Sequence, residues 1–235
     1  MHNLISKLGY LSQDEIHQVK KAYQLAKKAH ARQTRASGEP YFTHPLEVTQ
    51  ILIELELGAD VLCAALLHDI IEDTSVKPSD LIKQGFNLSV VNLVEGVTKL
   101  DKLQFLNAED AQAHNLQKLI LAMAKDVRVI IIKLADRIHN LSTIASLSHK
   151  KQRRIALETQ QIYVPLANRI GMHAFKERLE NSALEILYPW RFKVIERAIN
   201  NQQKIEQRLN DLITDLTDVL TQKNIDAQVI HKQIT

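Results

Sequence analysis

The stretch "VLCAALLHDIIEDT", residues 61–74, limits the possible folds more than any other. An apolar run over residues 61–67 passes directly into His68, Asp69, Glu72 and Asp73. With no glycine or proline to interrupt it, the segment reads as one helix over residues 61–72 whose core-facing rows continue into ionisable groups. Burying an uncompensated charge costs far more than burying a leucine gains, so the fold must bring positive charge to these carboxylates. His68 and Glu72 are four residues apart, as are Asp69 and Asp73, and each pair shares a side of such a helix. His68 and Asp69 diverge by about 100° and flank a point beyond it. A divalent cation at that point would compensate the cluster, but one helix cannot complete its coordination shell.

Apolar residues at three- and four-residue spacing recur almost throughout, and only 6 glycines and 5 prolines punctuate the 235 residues. The pattern argues for an all-α protein, with helices over residues 15–31, 46–57, 61–72, 78–83, 88–97, 108–124, 127–146, 150–168 and 173–187. A polar, stiff loop, "RQTRASGEPYFTHP", separates the first two. Beyond Pro189 a near-heptad apolar stripe runs from Ile195 through Ile205 and Leu209 to Val219, and such a stripe needs a partner surface. The final "NIDAQVIHKQIT" alternates like a strand. Two domains are expected, over residues 1–195 and 196–235, the second a connecting helix with the start of a possible further domain.

The composition excludes several classes. No apolar run approaches the roughly 20 residues of a membrane span, and no basic segment followed by an apolar one opens the chain, so the protein reads as cytoplasmic with no membrane partner. The single cysteine, Cys63, lies inside the apolar run, where it excludes a disulfide framework and reads as packing. A formal charge of +3 is too mild to imply nucleic-acid binding, whereas ten histidines make metal ligation worth testing.

Two other places offer the missing ligands. His44 ends the stiff loop, held by Pro45, and Asp136 ends another apolar run, "VIIIKLAD", where an acidic group is unexpected. Each also has a plain reading, as a structural loop histidine and as an aspartate paired with Arg137. Taken together, a histidine, a helical His-Asp doublet and a distant helical aspartate follow the H…HD…D order of the HD phosphohydrolase superfamily, which the chain resembles. "RASGEPYFTHPLEV", "AALLHDIIEDT", "LVEGVTKLDKLQF", "LAMAKDVRVIIIKLADRIHNL" and "RRIALETQQIYVPLANRIG" resemble the hydrolase domain of the RelA/SpoT homologues, nearest the SpoT branch.

That resemblance implies an HD-type helical bundle that hydrolyses the 3′-pyrophosphate of (p)ppGpp to GDP or GTP and pyrophosphate. His44, His68, Asp69 and Asp136 would bind one Mn²⁺, while Glu72 and Asp73 would handle the attacking water. Arg35 would pack on the guanine, and Asn140 and Thr143 would line the nucleotide pocket. Arg137 and His139 belong to the same motif and read as supporting pairs rather than reacting groups. The plain alternatives are a solvated acidic helix end for Glu72 and Asp73, a solvated loop charge for Arg35, and a backbone-bonded amide for Asn140. Ala36 stands where some members carry a basic side chain, which leaves the preference between ppGpp and pppGpp open. No ATP-binding synthetase site is expected within these residues, and the sequence leaves open a longer protein carrying synthetase and regulatory domains, or an oligomer. Hydrolysis of another nucleotide, or an idle nucleotide-sensing module, are the competing functions.

Overall fold

Ser12, followed three residues later by Glu15, has the signature of a helix start, and the structure uses both halves of it. This computed structural model describes residues 2–101 and 125–222, with the backbone alone for residues 2, 3, 101, 202, 203, 205 and 206. The Ser12 hydroxyl accepts from the Glu15 N–H at 3.3 Å and the Glu15 carboxylate accepts from the Ser12 N–H at 2.9 Å, which satisfies two donors that a helix start otherwise strands. A short α1 (His2–Ile5) precedes this cap and α2 (Gln13–Ala29) follows it, burying Ile16, Val19, Ala22, Tyr23 and Ala26 on one face.

The helices that follow are α3 (Thr43–Ile53), α4 (Ala59–Leu67), α5 (Ile70–Asp73), α6 (Pro78–Lys83), α7 (Leu88–Asp101), α8 (Val127–Ser142), α9 (His149–Glu158), α10 (Val164–Arg169) and α11 (His173–Leu187). No strand occurs among the described residues; an isolated bridge pairs Thr34 with Pro40. The fold is all-α. Helix α4 lies at its centre, packed by α2, α3 and α7, while α8 packs on α3, α4 and α7. That placement follows from composition, since Val61 to Leu67 are apolar on every side and all are buried.

Several boundaries depart from those the sequence suggests. Helix α3 begins at Thr43 rather than at residue 46, because Pro45 falls in the first turn, where its missing N–H strands nothing. The expected continuous helix over residues 61–72 is instead broken after Leu67, and α5 resumes at Ile70. The His68 Nδ1 sits 2.8 Å from the Ala65 carbonyl, the acceptor that an uninterrupted helix would offer to the Asp69 N–H, so the side chain competes with the helix ladder. Helix α8 stops at Ser142, capped by Thr143, and a 3₁₀ turn (Ile144–Ser146) follows. Between α9 and α10 lies a π turn (Thr159–Tyr163), in which the Val164 N–H reaches back five residues to Thr159. Pro165 comes next and has no N–H, so the shifted ladder leaves no donor stranded there.

The chain divides into two compact units, Met1–Ala183 and Leu184–Thr235. Within the second, α12 (Pro189–Gln222) carries Ile195, Ile199, Leu212, Leu216 and Val219 as exposed apolar side chains. The Ile205 side chain, the helix expected over residues 108–124 and the strand expected near the end fall outside the described residues. Among the described residues, no helix is long and apolar enough to cross a membrane.

One close approach fixes the spacing of α7 and α8. A Cβ added at Gly96 would lie 2.7 Å from Val129 Cγ2 and 3.3 Å from Val129 Cγ1. Gly96→Ala gains helix propensity of up to about 1 kcal/mol, but overpacking a buried β-branched neighbour costs about 1–3 kcal/mol. We expect Gly96→Ala to be destabilising by roughly 1 kcal/mol in urea denaturation. The Gly96→Ala/Val129→Ala pair should lose less than the sum of the single changes. A stabilised Gly96→Ala protein would show that the two helices separate without cost.

Candidate metal centre

Three segments that lie far apart in sequence deliver four ionisable side chains to one place. His44 enters from the first turn of α3, His68 and Asp69 from the break between α4 and α5, and Asp136 from the middle of α8. His44, His68 and Asp136 are each no more than 3% exposed. Each of these three offers a ligand atom within 4.8 Å of the others, and they are the one such group among the described residues. His44 Nε2 is 3.1 Å from Asp136 Oδ1 and 3.6 Å from Asp69 Oδ2, and His68 Nε2 is 3.0 Å from Asp69 Oδ1. Adjacent ligands of an octahedral ion with bonds of about 2.1 Å stand about 3 Å apart, so these spacings suit one small divalent ion.

The donor chemistry fits as well. The Ala65 carbonyl can only accept, so His68 Nδ1 carries a proton, and in the neutral ring Nε2 presents a lone pair. That Nε2 is buried and closes no hydrogen bond, although Asp69 Oδ1 stands 3.0 Å away. A buried imidazole nitrogen aimed at carboxylates without bonding them is the state a metal ligand needs.

Electrostatics point the same way. Burial opposes charge on His68, but the Asp69 and Asp136 carboxylates outweigh it and raise its pKa to about 9. Burial would likewise push Asp136 up, yet Lys133, His44 and His68 hold it well below the usual carboxylate range. Asp69 is also lowered, against its burial, chiefly by His68. The cluster is thus charged at neutral pH and carries protons that an incoming cation would replace.

Around this centre lies a cleft of about 250 Å³ bordered by His44, Asp69, Glu72, Asp73, Lys133 and Asp136. Glu72 and Asp73 are exposed at its mouth. A second cleft, of about 450 Å³, is lined by Arg35, Asn140, Thr143, Leu147 and Ile155, and shares Arg35, Asn140, Tyr41 and Lys133 with the first. Its mixed wall and size are those of a small-molecule site. The loop that delivers Arg35 folds on itself: Arg35 N–H donates to the Glu39 carbonyl at 2.9 Å, and Gly38 turns the chain at φ 88°. Arg35 is not a solvated charge, since Nη2 donates to Asn140 Oδ1 at 3.0 Å and Nη1 lies 3.2 Å from His139 Nδ1. Asn140 in turn donates to Asp136 Oδ1 at 2.7 Å. Thr143 donates to the His139 carbonyl at 3.2 Å and closes the end of α8. Arg137 pairs with Glu158 at 2.7 Å and stacks on Tyr163 at 4.1 Å, a supporting position as its motif suggests.

Two residues that sequence reasoning passed over stand inside the site. The Tyr41 hydroxyl faces Asp69 Oδ2 at 2.7 Å and Asp73 Oδ2 at 2.5 Å, and its pKa is driven far up by burial and by these two carboxylates. Lys133 donates to Asp136 Oδ2 at 2.5 Å and is buried. A lysine inside the apolar run "VIIIKLAD", one turn before an aspartate, was the available signal.

Comparison with known proteins places these features in a family context. Residues 22–173 match the family model described as an HD domain. The chain is 50% identical over 208 residues to the bifunctional (p)ppGpp synthase/hydrolase SpoT of Escherichia coli (strain K12), covering 86% of this chain and 30% of that one. It is 43% identical over 228 residues to the guanosine-3′,5′-bis(diphosphate) 3′-pyrophosphohydrolase of Vibrio cholerae, covering 95% and 32%. The chain therefore spans about a third of the length of these curated relatives. A solved structure reported as a metazoan orthologue of SpoT that hydrolyses ppGpp superposes with a TM-score of 0.53 at 26% identity, over 72% of this chain and 93% of the other.

The raised pKa of His68 gives metal uptake a defined pH dependence. Below about 9 the ring is protonated without metal, so a divalent ion must displace that proton, and apparent affinity should rise about tenfold per pH unit from pH 6 to 8. Calorimetric titration with Mn²⁺ in buffers of different ionisation enthalpy reads the released proton directly. Affinity that stayed flat over this window, with no proton release, would contradict the coupling.

Proposed function

The chain belongs to the HD domain family, and on that premise we propose that it hydrolyses the 3′-pyrophosphate of (p)ppGpp, releasing pyrophosphate and GDP or GTP. The observation that supports this reading best is the convergence of buried His44, His68 and Asp136 on one point, beside a cleft that also holds Glu72 and Asp73. The names of the similar proteins supply the substrate class.

In this proposal His44, His68, Asp69 and Asp136 hold one ion. Two imidazoles with two carboxylates would favour Mn²⁺ over Mg²⁺, which prefers all-oxygen shells. When bound, such an ion supplies positive charge for the phosphoryl oxygens and acidifies water. Glu72 accepts a proton from the attacking water as its oxygen bonds to phosphorus; the bond from phosphorus to the ribose 3′ oxygen breaks, and that oxygen collects a proton. Asp73 orients the water, with its backbone carbonyl accepting from Gln33 at 2.6 Å and its carboxylate facing the Tyr41 hydroxyl. Arg35 presents its flat guanidinium to the purine, and Asn140 and Thr143 border the same cleft. Lys133, which lines both clefts, is placed to meet substrate phosphates.

The test is a nucleotide panel offered to metal-reconstituted protein, with pyrophosphate and orthophosphate measured separately. Pyrophosphate from ppGpp is expected; release from a different nucleotide alone would reassign the substrate, and binding without turnover would make the chain a sensor. Chelation should abolish turnover, with Mn²⁺ restoring it better than Mg²⁺. Asp136→Ala should lose both metal and activity, whereas Glu72→Gln should keep the metal and lose roughly 10²-fold or more in rate. Normal turnover by Glu72→Gln would remove that residue from the mechanism. Arg35→Ala should raise KM more than it lowers kcat, and an unchanged KM would remove Arg35 from the base-binding role.

A further inference from the structure

We infer that His139 is a positioning residue that decides which nitrogen of His44 carries the proton, and that Arg35 fixes His139 in turn. The inference rests on His44 acting as a metal ligand, as proposed above. It follows from which atoms are able to donate.

A guanidinium has donors and no acceptor, and Arg35 Nη1 lies 3.2 Å from His139 Nδ1, so that nitrogen must offer its lone pair. His44 Nδ1 faces the same atom at 2.8 Å, a hydrogen-bonding distance at which one of the two nitrogens has to hold a proton. The His139 nitrogen has a single lone pair, so the two donors share it in a three-centre arrangement, and with His139 Nδ1 accepting from both, the proton belongs to His44 Nδ1. The neutral His44 ring then keeps a bare Nε2, the atom 3.1 Å from Asp136 and 3.6 Å from Asp69. The opposite tautomer would turn an N–H into the position where the bond to a cation has to form.

His68 reaches the same tautomer by another route, through the backbone carbonyl of Ala65. That acceptor is fixed by the helix. His44 has a side-chain acceptor instead, and its orientation depends on a residue that lines both clefts. The His44 and His139 rings also pack against each other, tilted by 48° with centroids 4.8 Å apart, so His139 supports His44 sterically as well. The question for experiment is whether the acceptor matters beyond that packing.

His139→Phe keeps a flat ring and removes the acceptor, while His139→Asn places an oxygen close to where Nδ1 stood. Titration calorimetry with Mn²⁺ should show His139→Phe binding about 10- to 100-fold more weakly than the parent, the usual effect of removing such a partner, with His139→Asn recovering most of the loss. Full affinity in His139→Phe, or equal weakness in both variants, would overturn the inference, the second outcome reducing His139 to packing. His44→Ala separates the two levels: if it binds Mn²⁺ normally, His44 is no ligand and the reading of the metal site fails first. Ring ¹⁵N shifts of the unmutated protein loaded with diamagnetic Zn²⁺ provide a check that needs no variant. They should report a protonated Nδ1 on His44 and a bare Nδ1 on His139, and the reverse assignment on His139 would refute the relay.

Discussion

Asp136 stands on α8 with Leu134 and Ala135 before it and Ile138 after it, all buried, and it remains ionised. It does so because Lys133 on its own helix, His44 on α3 and His68 at the break after α4 each bring positive charge or a donor to it. Breaking up such a cluster by removing one member leaves its partner buried and unpaired, which is far costlier than the pair itself is favourable. The positions of α3, α4 and α8 therefore cannot drift independently. The apolar contacts around α4 supply the driving force for burial, and the charge cluster selects the one arrangement in which burial is tolerable.

The clefts inherit their character from this arrangement. The larger has an apolar side at Leu147 and Ile155, whereas polar and ionisable side chains line the smaller, and both draw on groups already engaged with the cluster: Lys133, Asn140 and Arg35 are each bonded, directly or through one neighbour, to Asp136. Tyr41 does the same on the other flank, standing between Asp69 and Asp73 with a single proton to offer. It is itself held by stacking on the buried His30 at 4.8 Å. A molecule entering either cleft thus meets side chains whose rotamers are already set, so little ordering remains to be done on binding.

The helical class and the meeting of His44, His68, Asp69 and Asp136 were legible in the sequence. The first rests on the three- and four-residue spacing of apolar side chains, the second on ionisable groups standing inside apolar runs together with the H…HD…D order. The break after Leu67 was not legible, since no glycine or proline marks it; a histidine side chain competing for one carbonyl ended the helix instead. The early start of α3 was missed because Pro45 reads as a breaker unless its position within the first turn is known. Tyr41 and His139 stood in quoted motifs, but their roles depend on which atoms face one another across 28 and 95 residues of chain, and that information has no periodicity to read.

The π turn between α9 and α10 has a consequence for how related chains can be aligned. Glu158 and Tyr163 are five residues apart, which on an α-helix puts them about 140° from each other around the axis. The wider turn narrows that angle, and both reach Arg137, one by an ion pair and one by its ring face. One inserted residue in an ordinary helix is enough to create this two-sided grip, and its loss would rotate every later position of α10 relative to α9. A pairwise gap at this point is therefore a change of handhold on a buried cation rather than a neutral difference in length, and an alignment that smooths it over would pair side chains that face different directions.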